Sequence, residues 1–282
     1  MNKFLLFAFL FFIGSLLGWC IELIFRKFFS KGNPQHRWIN PGFLVGPYLP
    51  LYGSGLCVLY LLASIPINFI QNQILKDVVL FLIMAFAMTF IEYITGLVFI
   101  KKMHVKLWDY TDNWGNIQGI ICPLFSFFWA VLGAIYYFLI HPHVLYALKW
   151  LSENLAFSFF IGMFYGVFIL DLVYSLQLVT KLKQFADDYE LVVRYEALKK
   201  TIMEYNENNN RKKFLFAFRS EVPLKEHAKR YLELYTAFGE DEIKERLERA
   251  AVNAEKRAKD AKKKAEDKKK EIMEKIEERS SK

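Results

Sequence analysis

The sequence predicts an all-α integral membrane protein in which a five-helix transmembrane bundle precedes a charged helical tail. Apolar residues make up 54% of the 282 residues, whereas a soluble domain has about 45–50%. Charge is concentrated at the other end, because residues 180–282 hold 27 of the 37 basic and 22 of the 29 acidic side chains. Residues 1–179 are therefore the predicted membrane domain, and the composition excludes a soluble, a fibrous or a disulfide-rich secreted protein.

The predicted membrane domain contains five apolar stretches near the length of about 20 residues that a helix needs to cross the hydrocarbon core. Basic residues lie in the connections after the first and third stretches and at the start of the tail. Because basic residues near span ends stay cytoplasmic, we expect the N-terminus outside and both basic loops and the tail inside. The predicted spans are Phe4–Phe25, Leu44–Ile65, Val78–Ile100, Gly119–Ile140 and Leu155–Val179.

Two parts of the predicted membrane domain, residues 4–65 and 78–140, share a pattern. Each has a Glu inside its first span, then a Trp in the loop, then an Asn seven residues before a Pro. The pattern predicts two parallel helix-loop-helix repeats, a symmetry that transporters use. The residues are Glu22, Trp38, Asn40 and Pro47 in the first unit and Glu92, Trp108, Asn116 and Pro123 in the second.

The second helix of each predicted repeat is preceded by residues that make poor helix starts in lipid. Gly42, Gly46, Pro47 and Gly119 predict non-helical re-entry segments. Such backbone is tolerated at membrane depth only where protein covers it or where it lines a wet cavity. The alternative is that Pro47 and Pro123 occupy the first turn of the next helix, where a missing N–H costs nothing.

Several short motifs between about residues 9 and 140 are shared with one known family. They are Gly18-Trp19 with Glu22, Asn40-x-Gly42-Phe43-Leu44-x-Gly46-Pro47 with Pro50-x-Tyr52-Gly53, Glu92-Tyr93-x-Thr95-Gly96, Trp108-Asp109-Tyr110, and Asn116-x-x-Gly119-x-Ile121-Cys122 with Ser126 and Trp129. In these motifs the chain resembles the CmpB-like, type IV ABC-transporter permease family of bacterial membrane proteins. Pro41 and Pro123 depart from the family pattern, which has a basic residue and a Leu there. The resemblance implies a transport-related protein of the bacterial cell membrane.

Three acidic residues, Glu22, Glu92 and Asp171, lie inside predicted spans. A carboxylate in lipid costs about 2.5–3.5 kcal/mol, so it faces protein or water and pairs with another group. We expect these three, with polar residues at the cytoplasmic ends of the spans, to line a vestibule open to the cytoplasm that binds a cation, relays protons or holds a polar substrate. The other expected vestibule residues are Asn40, Trp108, Asp109, Tyr110 and Asn116.

A purely structural interpretation of these candidates stays open. Glu22 lies one helical turn from Arg26, and Glu92 has a loop Trp, Asn40 or Asn116 as expected partners. Tryptophans at a membrane interface often serve as anchors.

The sequence offers no recognisable catalytic constellation. It has no P-loop, so ATP hydrolysis by that motif is not expected and a permease would need a separate ATPase subunit. There is no C-x-x-C pair, and no His, Cys, Asp and Glu spacing that predicts a metal site or a cofactor. We therefore expect a protein that is not an enzyme.

The tail has two parts. Residues 180–239 predict an amphipathic helical region that continues the fifth span, with a basic and aromatic stretch at 211–219 that suits either anionic lipid or neighbouring helices. Residues 240–282 are rich in Lys, Glu and Ala and predict a lone helix or a weak coiled coil, which could recruit a protein or self-associate. Interleaved acidic residues argue against nucleic acid as a partner.

Three functions are compatible with these patterns. The leading one is a permease-like transport component in the lipid bilayer, driven by a separate ATPase. The second is a membrane-anchored scaffold or regulator that recruits a partner through the tail. The third is an intramembrane enzyme that acts on a lipid or a small substrate with the carboxylates.

Overall fold

The structure, a computed structural model, describes residues 3–30, 33–65, 70–154, 156–188, 191–208 and 224–235, and six isolated residues between 249 and 266. It is helical with one short parallel strand pair. The helices are α1 (Lys3–Phe28), α2 (Pro50–Ala63), α3 (Gln73–Met103), α4 (Pro123–Ile135), α5 (His141–Glu153), α6 (Phe157–Asp188), α7 (Tyr195–Asn208) and α8 (Leu224–Tyr235). The strands are β1 (Val105–Lys106) and β2 (Val193–Arg194).

Among the described residues, four helical stretches are long and apolar enough to cross a membrane: Lys3–Phe28, Gln73–Met103, Pro123–Leu151 and Phe157–Asp187. They coincide with the first, third, fourth and fifth predicted spans. Large apolar side chains such as Phe86 and Leu170 stay more than two-thirds exposed on these helices, as expected for surfaces that face acyl chains. The described residues therefore have the character of a membrane protein.

The second predicted span, Leu44–Ile65, is shorter in the structure. Its helix α2 has 14 residues, fewer than the about 20 that a full crossing needs. Helix α2 begins at Pro50 and not near Leu44, and the backbone of residues 44–49 is non-helical. Pro47 therefore lies before the helix, in the predicted re-entry segment.

The fourth predicted span starts at a proline. Helix α4 begins at Pro123, directly after Cys122, where the missing N–H of the first helical position costs nothing. This confirms the alternative interpretation of Pro123. The same helical stretch runs on through a π-helical turn, Tyr136–Ile140, into α5, whose second residue is Pro142. A π-turn beside a proline is a common way for a helix to absorb the lost hydrogen bond.

Helices α1 and α2 form a tightly packed pair, which we call hairpin one. A methyl group placed on Gly53 would come within 2.6 Å of the Phe11 carbonyl oxygen, and one on Gly14 within 2.8 Å of the Leu56 Cβ. Small residues at such contacts let helix backbones approach closely in a membrane. Glycine spacing in α1, at Gly14 and Gly18, therefore serves internal packing.

Helices α3 and α4 form hairpin two, which packs through larger side chains. Met84 and Met88 of α3 and Trp129 of α4 are buried together with Leu59 of α2. A methyl group on Gly133 would lie 3.6 Å from the Met84 Cβ, an ordinary van der Waals distance. The shared residues join the two hairpins into one bundle.

The chain after α6 does not continue as one amphipathic helix. It leaves α6 at Asp188, forms β2, which pairs in parallel with β1, and turns into α7. The apolar residues that make residues 180–239 amphipathic, which we call the stripe, are therefore divided among α6, β2 and α7. Of these, Leu182, Tyr195 and Ile202 are buried in one core with Val105. Tyr189, another stripe residue, lies outside the described residues.

This core lies against the connections of the two hairpins. We call residues 29–49 loop one and residues 104–122 loop two, and the end of the bundle that carries them the loop face. The short strand pair joins loop two to the chain before α7. The predicted segment 211–219 and most of 240–282 lie outside the described residues, and the six isolated residues of the latter are helical.

Candidate functional site

The carboxylate of hairpin one is held by a cation and a phenol. Arg26 lies one turn after Glu22 on α1, and its Nε donates to Glu22 Oε1 at 2.9 Å. The Tyr52 hydroxyl of α2 donates to Glu22 Oε2 at 3.1 Å. Tyr52 reaches this position because Gly18 of α1 leaves room for its ring. The expected pairing of Glu22 with Arg26 is therefore present.

The carboxylate of hairpin two is held by neutral donors. Trp129 of α4 donates from Nε1 to Glu92 Oε2 at 3.0 Å, and the Tyr110 hydroxyl of loop two donates to Glu92 Oε1 at 3.1 Å. Tyr110 is itself fixed by stacking on Phe125, with ring centroids 4.2 Å apart. Burial raises the pKa of the Tyr110 hydroxyl well above its usual value, and the Glu92 carboxylate raises it further. Tyr110 is therefore a hydrogen-bond donor at physiological pH.

The two carboxylates belong to one cluster. The Tyr52 and Trp129 rings, each bonded to its own Glu, pack with centroids 4.9 Å apart. Glu92 is buried, whereas the Glu22 side chain keeps 24% of its surface exposed. We call these residues the central cluster; its members are Glu22, Arg26, Tyr52, Glu92, Tyr110 and Trp129. It places two carboxylates and one guanidinium between the two helical hairpins.

Asp171 of α6 holds the re-entry segment of loop one. Its two carboxylate oxygens accept from the Val45 and Gly46 N–H groups at 3.1 and 2.7 Å. The hydroxyls of Tyr48 and Ser175 also donate to it, at 2.6 and 2.9 Å. Two of these four donors are backbone N–H groups that would bond within a helix if the segment were helical, so Asp171 replaces their helical acceptors. Asp171 therefore fastens α6 to loop one.

Asn40 holds the same segment from its other side. Its amide nitrogen donates to the Leu44 and Val45 carbonyls at 3.2 and 3.0 Å, and its amide oxygen accepts from Trp19 Nε1 at 2.7 Å. The backbone just after it turns at Gly42, whose φ of +74° suits glycine. Asn40 and Asp171 thus meet on one stretch of backbone, away from direct contact with Glu22 or Glu92.

A lysine that the sequence did not single out also binds loop one. The Lys199 ammonium of α7 donates to the Asn40 carbonyl, and to the Gly42 carbonyl at 3.3 Å. Lys199 is buried, and burial lowers the pKa of its amine to about 8. The neighbouring Tyr195 hydroxyl donates to the Phe43 carbonyl at 3.4 Å. Helix α7 therefore closes over the re-entry segment.

The other predicted residues of loop two shape the loop itself. Trp108 donates from Nε1 to the Ile120 carbonyl at 2.8 Å. Asn116 donates to carbonyls within the loop and accepts from the Gly119 N–H at 3.0 Å. Gly119 has a φ of +62° and leaves room for the Lys106 ammonium.

Asp109 of loop two binds the segment before α7. Its carboxylate pairs with Lys106 at 2.6 Å and with Arg194 of β2 at 3.1 Å. Burial alone would raise the pKa of Asp109, but Lys106 and hydrogen bonds from Thr111 hold it below its usual value. Asp109 is therefore ionised and serves as an anchor between loop two and β2.

The predicted site residues thus fall into three groups. Glu22, Glu92 and Tyr110 meet in the central cluster, and Asn40 and Asp171 meet at the re-entry segment. Trp108 and Asn116 support loop two, and Asp109 joins that loop to β2. Sequence reasoning named Tyr52 and Trp129 as motif residues without giving them a role, and it did not single out Glu196 or Lys199, because nothing in their spacing shows which helix they face. Among the described residues, no group of His, Cys, Asp and Glu could hold a metal ion.

Comparison with known proteins gives one match. Residues 9–176 match the family described as "Putative ABC-transporter type IV". Neither the curated proteins nor the solved structures give a match. The matched region contains both hairpins, loop two and Asp171, and it ends before β2 and α7.

Proposed function

We propose, because the chain belongs to the type IV ABC-transporter family, that it is a permease-like membrane transport component whose central cluster handles a small solute or ion. The supporting observation is that two hairpins bring Glu22 and Glu92 to adjacent aromatic donors, Tyr52 and Trp129, whose rings are in contact. Ionisable groups inside a membrane bundle are expensive and usually mark a substrate or ion pathway.

The loop face is the side from which the solute would enter. Tyr110 belongs to loop two and reaches Glu92, so the cluster is continuous with the loop face. Basic residues at this end of the bundle, such as Lys101 and Lys102 in the last turn of α3, support a cytoplasmic position for this face. We therefore propose a vestibule that opens to the cytoplasm of a bacterial cell, with the N-terminus outside.

The energy source proposed for transport is a separate ATPase subunit. The sequence contains no P-loop, and the chain's matched family is named for ABC transporters. In this proposal the chain itself is not an enzyme, and ATP hydrolysis occurs on the partner.

Flux through vesicles tests the proposal. The purified full chain would be reconstituted into liposomes and screened with labelled amino acids, sugars and inorganic cations under an imposed gradient. We expect flux above empty vesicles for one class, and at least about a tenfold loss in Glu92→Gln, since one lost interaction of about 1.4 kcal/mol changes a rate tenfold. Glu153→Gln, which changes an exposed carboxylate of α5, is the matched control. Equal flux in wild type and Glu92→Gln would refute the assigned pathway.

A truncation separates transport from the scaffold function. A chain that ends at Gly239 lacks the Lys-, Glu- and Ala-rich segment. A transport component should keep its flux without this segment, whereas a scaffold should lose its cellular function while showing no flux in either form. Product formation from a lipid or solute without flux would favour the intramembrane enzyme instead.

A further inference from the structure

Arg26 is shared between two carboxylates from different parts of the molecule. Its Nε donates to Glu22 of the central cluster at 2.9 Å, and its Nη1 binds Glu196 of α7 at 2.8 Å. Glu196 lies beyond the family match, which ends at residue 176. The guanidinium therefore already touches a second acceptor that the matched region does not supply.

Glu196 has unused capacity to accept hydrogen bonds. Only its Oε2 is paired with Arg26, while its Oε1 is buried and has no hydrogen-bond partner among the described residues. A buried oxygen without a donor is costly, about 1–3 kcal/mol for a typical polar group. A guanidinium carries five N–H donors in a planar fork that matches both oxygens of a carboxylate. A fully bidentate Arg26–Glu196 pair would relieve the unpaired oxygen.

The charges around Arg26 favour a cation as the visiting ligand. In this part of the described structure three carboxylates, Glu22, Glu92 and Glu196, stand beside two basic side chains, Arg26 and Lys199. An anion that bound Arg26 would compete with Glu22 and Glu196 for the guanidinium, in a place where carboxylates already outnumber basic side chains. A cation that bound Glu22 would instead replace one positive charge with another.

We propose that Arg26 is a displaceable counter-ion of Glu22: a cationic solute replaces the guanidinium on Glu22, and Glu196 receives it. This inference rests on the proposed function and names its substrate class, a small cation such as an inorganic monovalent ion, an ammonium or a guanidinium compound. Only rotation of the Arg26 side chain is needed, because both carboxylates already contact it. Glu22 is the partly exposed carboxylate of the central cluster, with 24% of its side-chain surface exposed, and its partner Arg26 also contacts α7 at the loop face. Glu196 acts as a positioning residue through Arg26 and does not touch the solute.

Ligand-dependent stabilisation of the purified full chain in detergent tests this exchange. Sodium, potassium, ammonium and guanidinium would be titrated at constant ionic strength, with choline as the replacement ion, and the shift in melting temperature recorded. In Arg26→Met the tethered competitor is gone, so the apparent affinity for the stabilising cation should rise about tenfold, a change that corresponds to about 1.4 kcal/mol. Lys27→Met removes the next positive charge along α1, whose ammonium lies over the Trp38 ring, and should leave the affinity unchanged.

Glu196→Gln should act in the opposite direction. Without the receiving carboxylate Arg26 stays on Glu22, so the apparent cation affinity should fall severalfold. Glu204→Gln makes the same charge change at an exposed position of α7 and is the matched control. If Arg26→Met does not fold, the contrast between Glu196→Gln and Glu204→Gln decides the question.

Three outcomes would overturn the inference: unchanged cation affinity in Arg26→Met, an affinity in Glu196→Gln equal to that of wild type, or stabilisation by anions in place of cations. These failures are distinguishable from failure of the proposed function. Flux that depends on Glu92 but is indifferent to Arg26 and Glu196 would leave the transport function standing and remove only the exchange. Loss of Glu92 dependence would remove the transport pathway itself.

Discussion

Hairpin one and hairpin two each hold a buried or partly buried carboxylate between two apolar helices, but they hold it with different groups. Among the described residues, Glu22 is paired with a cation, Arg26, and one phenol, whereas the donors to Glu92 are neutral and come from Tyr110 and Trp129. Glu22 also keeps part of its surface exposed, while Glu92 is buried. A repeated sequence pattern therefore does not produce a repeated electrostatic environment.

The two loops differ in a parallel way. In loop one Asn40 is buried and holds the re-entry backbone, and charged groups of α6 and α7, Asp171 and Lys199, bind the same stretch. In loop two the corresponding Asn116 bonds to its own loop, and Tyr110 alone among the predicted loop-two residues reaches the central cluster. Charged groups of α6 and α7 bind the backbone of loop one directly. Loop two is held by hydrogen bonds within the loop and, from outside, by the Asp109–Arg194 ion pair, and it places one side chain in the central cluster.

The largest expected difference between the hairpins is in the stability that each loses when a packed glycine is replaced by alanine. Gly53→Ala would push a methyl group against the Phe11 carbonyl oxygen, within 2.6 Å, where backbone must move. Overpacking of this kind costs about 1–3 kcal/mol, so we expect a clearly lower melting temperature for the purified protein in detergent.

Gly133→Ala is the matched change in hairpin two. Its added methyl group meets the Met84 Cβ at 3.6 Å, so we expect a melting temperature close to that of wild type, or slightly above it. Equal destabilisation by the two substitutions would show that the hairpins pack alike, in conflict with the close contact at Gly53 and the ordinary one at Gly133.

A smaller difference in stability between the hairpins should appear when the tyrosine hydroxyl bonded to each carboxylate is removed. Tyr110→Phe leaves the buried Glu92 with the Trp129 donor alone, whereas Tyr52→Phe leaves Glu22 with Arg26. Since an unsatisfied buried acceptor costs about 1–3 kcal/mol and a typical hydrogen bond contributes about 1 kcal/mol, Tyr110→Phe should be the more destabilising variant. Thermal unfolding of both variants, side by side, measures the ranking, and the reverse order would mean that Arg26 does not compensate.

Much of the fold could be predicted from the sequence because it follows from composition and length. The long apolar stretches of α1, α3 and α6 and the proline that starts α4 are local signals. A non-helical re-entry segment before the second span was predicted, but the start of α2 at Pro50 instead of near Leu44 was not. The backbone before Pro50 is bound by a carboxylate that is distant in sequence, Asp171. Local hydropathy cannot show that partner.

The sequence predicted the carboxylates of the candidate site but not the side chains that bind them. Glu22 and Glu92 were found because a carboxylate in an apolar run is rare and expensive. Trp129 entered the sequence analysis only as a member of the family motif, and Glu196 was not singled out. Their roles depend on which helix each one faces, and that is decided by packing between hairpins and α7.

The smallest expected effect is a change of stability with pH. It distinguishes the buried Lys199 ammonium of α7, which binds loop one, from the half-exposed Arg194, which pairs with Asp109 of loop two. Because the pKa of the Lys199 amine is lowered from 10.5 to about 8 by burial, the unfolded chain binds more protons than the folded chain between those two values. Stability therefore rises with pH through that window, so the melting temperature of wild type minus that of Lys199→Met should increase from about pH 8 to about pH 10.

The exposed neighbour Lys200 provides the control, and the melting temperature of wild type minus that of Lys200→Met should not change with pH. Arg194 is half-exposed in its pair with Asp109, so Arg194→Met should change stability by about 0–1 kcal/mol without this pH dependence. A flat difference for Lys199→Met would mean that its ammonium is solvated, and that loop one is held no more firmly than loop two.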